Sequence, residues 1–369
     1  MTIALAGDVM TGRGIDQILH CPSAPQLFES HVRDAHEYVR LAERVNGPIP
    51  RGVAAEYIWG DALSELRRAA PQLRIVNLET AVTTADDAWP GKGIHYRMHP
   101  SNVACLNAAG IDCCTLANNH VLDWGRAGLH QTLETLHAAG VRSAGAGCDG
   151  DAASRPAALP LDGGRRVLVW GCATATSGVP ADWAAGPGRP GVALLPDLSD
   201  ATARKLAERV ARLRRGDEHV VVSIHWGGNW SPDVPAEHRA FVHRLIELKA
   251  ADIVHGHSSH HPQPIEVYRG RLVLYGCGDL VNDYEGIGSH GSLRSDVGCL
   301  YFATLGLADG LLRGLEIVPL QLRRFRLERA DAAARRSLLR LVGGGTLGSR
   351  LAPSPAGNWS LQWDRVRVS

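Results

Sequence analysis

Short apolar runs alternate along this chain with stretches whose apolar residues recur at helical spacing, and that alternation restricts it to a layered α/β fold. Residues 3–9, 73–78, 112–116, 167–171, 219–224, 252–255, 272–275, 299–304 and 315–318 read as strands. Residues 61–70, 103–109, 128–139, 201–214, 236–249 and 332–341 read as helices. In the stretch 201–214, Ala203, Leu206, Val210 and Leu213 share one face while Arg and Lys take the other. Two segments break the rhythm: residues 22–57, rich in charge and Pro and expected to form an insertion or lid, and residues 177–200, a Gly- and Pro-rich surface loop. We expect one large domain over residues 1–320, followed by a C-terminal helix and loosely held tail over 321–369.

Polar residues of metal-binding type follow the expected strands in order. Asp8 stands in AGDVMTGR, Glu79 in VNLET, and Asn118, Asn119 and His120 precede Asp123 in LANNHVLD. His225 opens IHWGGNW, and His255, His257, His260 and His261 crowd into HGHSSHH. Carboxyl ends of strands line the ligand crevice of α/β proteins, so these separate segments can converge on one site. The composition agrees, with 17 His and 41 Gly against 4 Phe. Carboxylate and amide oxygens mixed with imidazole nitrogens suit Ca, Mn, Zn or Fe, and the sequence does not choose among them. Taken singly, each residue has a plainer role: Asp8 can cap a turn, Asn118 and Asn119 can start a helix, and His120 with Asp123 can be a buried hydrogen-bonded pair.

Other classes fall away. With 39 basic and 38 acidic side chains the net charge is +1, which leaves no electrostatic footprint for nucleic acid. No stretch approaches the ~20 apolar residues of a membrane helix, and the N-terminus lacks a basic, apolar leader pattern, so a cytoplasmic protein without membrane contact is expected. The eight Cys form no CxxC pairs and read as small buried hydrophobes.

GDVMTGRG, VNLET, LANNHVLDWG, IHWGGNW, HGHSSHHPQPIEVY and YGCGDLVNDYEG, in this order, resemble the capsule-synthesis CapA family, which is similar to calcineurin-like metallophosphoesterases. The resemblance implies a four-layer α/β/β/α sandwich with its metal site at the strand ends. It implies Glu79, Asn119, His225 and His257 as metal ligands and His120 as acid/base residue with Asp123 orienting it, while Asp8 matches the family's first aspartate and His260 the next histidine of its GHxxH form. As catalytic pairs the residues themselves offer His120 with Asp123, and His257 or His260 with Asp8 or Asp279. Two departures stand out: Met10 occupies the position where a phosphoesterase carries a first-strand histidine, and Glu79 replaces a bridging aspartate. A thioether is a poor ligand for a hard ion, so one divalent ion per chain is expected, with no organic cofactor.

One ion among several His/Asp pairs suits proton transfer. Soluble members that this chain resembles include epimerases of lasso-peptide precursors, so the expected function is inversion of a Cα centre in a peptide substrate by two-base chemistry. The alternatives are a metal-dependent hydrolase of a phosphoester or poly-γ-glutamate-type amide, and a non-catalytic accessory protein that binds an acidic polymer. Arg97, Trp226 and His290 are the expected substrate contacts.

Overall fold

The computed structural model describes residues 1–216, 218–288, 291, 293–343 and 347–364. Thr2–Val9 lies inside a ten-stranded sheet, with Leu73–Leu78, Cys113–Thr115 and Arg142–Ala144 following in parallel on one side. On its other side Val297–Leu305 and Leu312–Arg323 run antiparallel. Asp279–Val281 also pairs with the end of Thr2–Val9, in parallel. A six-stranded sheet sets Arg166–Ala173, His219–His225, Ile253–His257 and Arg271–Leu274 in parallel, with Ala157–Pro160 and Ile265–Tyr268 as antiparallel edges.

Strand side chains alternate between faces, so the apolar runs divide among separate cores. Ile3, Leu5 and Ile75 of the large sheet share one core with Val167, Val169, Val221 and Ile253 of the small sheet. Ala4, Ala6, Val76 and Leu78 point the other way and pack with Ala62 and Leu66 of helix Asp61–Ala69 and Leu129 and Leu136 of helix Gly125–Ala138. The remaining face of the small sheet, with Leu168, Trp170, Val220 and Val222, covers Leu206 and Val210 of helix Asp200–Leu213 and Phe241 and Leu245 of helix Ala236–Glu247. Burial on both faces explains why the parallel strands read as continuous apolar runs.

Two glycines permit close approaches around the strand ends. A Cβ on Gly7 would lie 1.9 Å from the carbonyl oxygen of Gly278, and one on Gly256 would lie 2.1 Å from that of Tyr275. Six cysteines (105, 113, 114, 172, 277 and 299) are buried as expected, but Cys148 is exposed.

The expectation of a loose tail needs correction. Residues 347–364 include a hairpin, Ser349–Pro353 with Trp359–Trp363, which joins the large sheet where Ser360 pairs with Glu316 and Trp359 with Ile317. Trp359 and Leu361 are buried in the core between the sheets. Within residues 22–57 a helix, His36–Asn46, packs Tyr38 against Leu27 and Ala35, and sends Val39 and Ala42 into the main core. Among the described residues no helix is long and apolar enough to cross a membrane.

Candidate metal centre

The strand ends named by the sequence meet at one buried place. Asp8, near the end of its strand, is registered against Asp279 and receives two hydrogen bonds that fix its carboxylate: Asn77 Nδ2 donates to Oδ1 at 2.7 Å and the Ser258 amide to Oδ2 at 3.2 Å. Asn77 also reaches Glu79 Oε2 at 3.4 Å. His225 and His257 are paired across neighbouring strands, and their Nδ1 atoms stand 2.8 Å apart. His257 Nδ1 is 4.0 Å from Asp8 Oδ1, and its Nε2 meets Ser223 Oγ at 2.8 Å. The same hydroxyl contacts His255 Nδ1, whose ring bonds across to the Ala6 carbonyl oxygen at 2.8 Å. His255 therefore ties the sheets together and steadies its neighbour.

His225 has two differently occupied edges. While Nδ1 faces His257, Nε2 is 3.1 Å from Asn119 Oδ1 and 3.8 Å from Glu79 Oε1. The sequence grouped Glu79 and Asn119 with both imidazoles as ligands. Among carboxylates and imidazoles of the described residues, Asp8, His225 and His257 form one group whose ligand atoms lie within 4.8 Å of one another, and Asp8, His260 and Asp279 a second. Glu79 and Asn119 stand beside the first group. Asn118 does not enter: its side chain bonds Asn77 and the Leu78 carbonyl, and accepts the amides of His120 and Val121.

His120 Nδ1 lies 2.6 Å from Asp123 Oδ2, and its Nε2 points toward Glu79 Oε1 at 3.8 Å. Asp123 also accepts the Tyr96 amide at 2.6 Å and a hydrogen bond from Lys92. Opposite, His260 Nδ1 pairs with Asp279 Oδ1 at 2.8 Å, and Asn282 Nδ2 donates to the other Asp279 oxygen.

The electrostatics follow from burial. Burial, then the neighbouring Asp279, push the Asp8 carboxyl up to about 7, against hydrogen bonds from Glu79 and Asn77. Burial and Asp8 push Glu79 well above the carboxylate range. Burial holds His225 and His257 well below the usual histidine value, with neighbouring imidazoles adding to it. Burial likewise draws His120 down to about 4, against the attraction of Asp123. Asp123 stays ionised despite its burial because His120 and Lys92 lower it. His260 moves the other way, since Asp279 and Asp8 outweigh its desolvation.

A family description matches residues 2–284: bacterial capsule synthesis protein PGA_cap. The chain belongs to this family. It is 48% identical over 332 residues to a probable polyglutamine synthesis accessory protein of Mycobacterium tuberculosis, covering 90% of this chain and 87% of that one. It is 26% identical to the PGA biosynthesis protein CapA of Bacillus subtilis, over 77% of this chain and 63% of that protein. A solved structure described as a novel phosphatase from Mycoplasma pneumoniae superposes with a TM-score of 0.46 and 12% identity, over 91% of this PGA_cap chain and 96% of that one.

The expected substrate contacts fare differently from the cluster. The Arg97 guanidinium is taken up by the carbonyls of Ala85 and Ala24, by Asp86, and by the face of Trp124 at 3.8 Å. Trp226 is buried in the helix-side core, stacked on His238 at 4.1 Å with Nε1 bonded to the Tyr275 carbonyl. Both side chains are thus engaged within the protein, Arg97 by hydrogen bonds and Trp226 by packing. His290 lies outside the described residues. Sequence reasoning missed Asn77, Ser223 and Lys92. Asn77 sits inside the VNLET motif and could have been found there, whereas no pattern around Lys92 announces it.

Proposed function

We propose that this PGA_cap protein is a metal-dependent hydrolase that cleaves amide bonds of a poly-γ-glutamate-type chain, on an α/β/β/α calcineurin-like sandwich. The observation that carries the reading is the buried convergence of Asp8, His225 and His257 beside Glu79 and Asn119. The names of the relatives, which refer to polyglutamine and PGA synthesis, supply the substrate class.

The residues fit a divalent ion. Two imidazoles kept neutral by burial turn Nδ1 atoms toward each other at 2.8 Å, as donors sharing a cation do. Burial and neighbouring carboxylates raise Asp8 and Glu79, so a cation placed beside them would favour their charged forms. Asp8, His225 and His257 would hold one ion per chain, with Glu79 and Asn119 alongside. His260 is already neutralised by Asp279, so that second group serves as a fixed ion pair. The bound ion would supply positive charge that polarises a carbonyl oxygen and acidifies water.

The chain's own residues supply the proton transfers. Asp123, ionised, accepts the Nδ1 proton of neutral His120 and leaves Nε2 free toward the cluster. Nε2 takes a proton from the attacking water and returns it to the leaving nitrogen, the sequence an amide requires. Lys92 donates to Asp123 and its Nζ also lies 3.0 Å from His120 Nδ1, so it holds both members of the pair. Cα inversion in a lasso-type precursor has no support among the relatives, and hydrolysis takes its place.

Metal-loaded protein incubated with poly-γ-glutamate in water enriched in heavy oxygen should shorten the polymer and leave one heavy oxygen in each new carboxyl group. His120→Gln should abolish both. Polymer that stays intact on the loaded wild-type protein overturns the hydrolase and leaves a binding accessory. Deuterium entering Cα in D₂O would restore epimerisation.

A further inference from the structure

The near-zero net charge conceals a strongly basic surface away from the metal cluster. Helix Asp200–Leu213, the short helix Gly150–Ala153 and strands Ala157–Pro160 and Arg166–Ala173 border a cleft of roughly 600 Å³. Arg155, Arg166, Arg209, Arg212 and Arg215 line it, with Asp151 as the acidic member. A second cleft, of about 540 Å³, shares Pro156, Ala158 and Arg166 with the first and extends to Arg142. A third, of about 450 Å³, shares Asp151, Ser154 and Arg209, adds Asp149 and extends to Leu194 and Leu195. The first, arginine-lined cleft is the trough, and the other two adjoin it through these shared residues.

Its charge is only partly compensated. Arg166 is paired with Glu218, its Nε 2.7 Å from Oε1. The guanidinium groups of Arg155, Arg209, Arg212 and Arg215 are exposed and make no hydrogen bond or ion pair to another described residue. Arg209 and Arg212 stand one helical turn apart, so both face the trough and repel each other. Unpaired like charges around one concavity focus a positive field that a polyanion relieves.

The trough also has direction. Arg166 begins its strand, while Leu194 bridges to Ala173 at the other end, and Ala173 is registered opposite His225. The arginines thus gather at the start of the strand, and the third cleft, with Asp149, Asp151 and Arg209, leads from them toward the end that carries the metal cluster.

We infer that this trough binds a segment of an acidic polypeptide, the γ-glutamyl chain of the proposed reaction, by guanidinium–carboxylate pairing with Arg155, Arg209, Arg212 and Arg215. The identity of the ligand rests on that proposed function. The arginines hold the polymer away from the reacting bond and do no chemistry.

The test uses His120→Gln protein, so that the chain is not cut, with labelled poly-γ-glutamate and fluorescence anisotropy as the readout. In that background R209E/R212E should weaken binding by about tenfold or more, with a shallower salt dependence. R155Q/R215Q should weaken it less, and carries the test by itself if the double reversal disturbs the fold by circular dichroism. Unchanged affinity in whichever variant is folded overturns the inference. So does trough-dependent binding of inorganic polyphosphate without binding of poly-γ-glutamate. The measurement needs no cleavage: an uncut polymer with wild-type protein removes the hydrolase reading and leaves the trough, whereas unweakened variants remove the trough and leave the hydrolase.

Discussion

Asp123→Asn separates orientation of the acid/base residue from metal binding. Asp123 is fully buried and faces three donors at once: His120 Nδ1 at 2.6 Å, the Tyr96 amide at 2.6 Å, and Lys92 Nζ. An amide offers one acceptor oxygen and one donor group, so the –NH₂ must meet at least one of these donors. If it meets His120, the ring proton moves to Nε2 and the free lone pair no longer faces the cluster. Loss of the correct tautomer costs about a thousandfold or more in kcat, with KM and metal content little changed. Stability should fall as well. Lys92, whose side chain is only 15% exposed, loses its anion, and breaking a buried pair from one side costs about 3–5 kcal/mol. Partial loss of the Lys92 proton, already favoured by burial, brings the figure toward about 3 kcal/mol. Turnover of poly-γ-glutamate, metal analysis and urea unfolding at pH 7 measure the three quantities. A metal-loaded Asp123→Asn protein with wild-type kcat would refute the role given to His120.

Two further outcomes probe the scaffold. Burial pulls His238 down to about 4, so the folded protein keeps it neutral while the unfolded chain protonates it below about 6.5. The unfolded state then binds more protons, and stability present above pH 6.5 is lost as pH falls toward 4, by up to about 3 kcal/mol. Because Nδ1 of His238 has no hydrogen-bond partner and the ring stacks on Trp226, His238→Phe should keep the packing and flatten this acid loss in urea titrations across that range. An unaltered pH profile would show that the acid sensitivity lies elsewhere. Trp359→Ala should cost about 3 kcal/mol by chemical denaturation because Trp359 lies in the core between the sheets, whereas a loosely held tail would leave stability unchanged.

The strands were legible because a run buried on both faces is apolar throughout and short, and residues 73–78 were bounded correctly from pattern alone. The site was legible for a related reason: strand ends must stop being apolar where they enter a crevice, and Asp8, Glu79, His120, His225 and His257 mark those points. What stayed hidden depends on contacts distant in sequence. Which edge of His225 faces His257 and which faces Asn119 follows from the placement of two strands and a loop. The tail hairpin owes its order to pairing with Leu312–Arg323, a partner no local pattern reveals. Arg97 and Trp226 looked available for substrate because composition cannot show that Ala85, Asp86, Trp124, His238 and Tyr275 already occupy them.

The central claim is that Asp8, His225 and His257 hold one divalent ion. Protein stripped of metal, reloaded with Mn²⁺, Zn²⁺, Fe²⁺ or Ca²⁺ in turn and freed of excess should retain about one ion per chain of the preferred metal, and His257→Gln should retain none while remaining folded. Two ions per wild-type chain, or an ion held as tightly by His257→Gln, would contradict it.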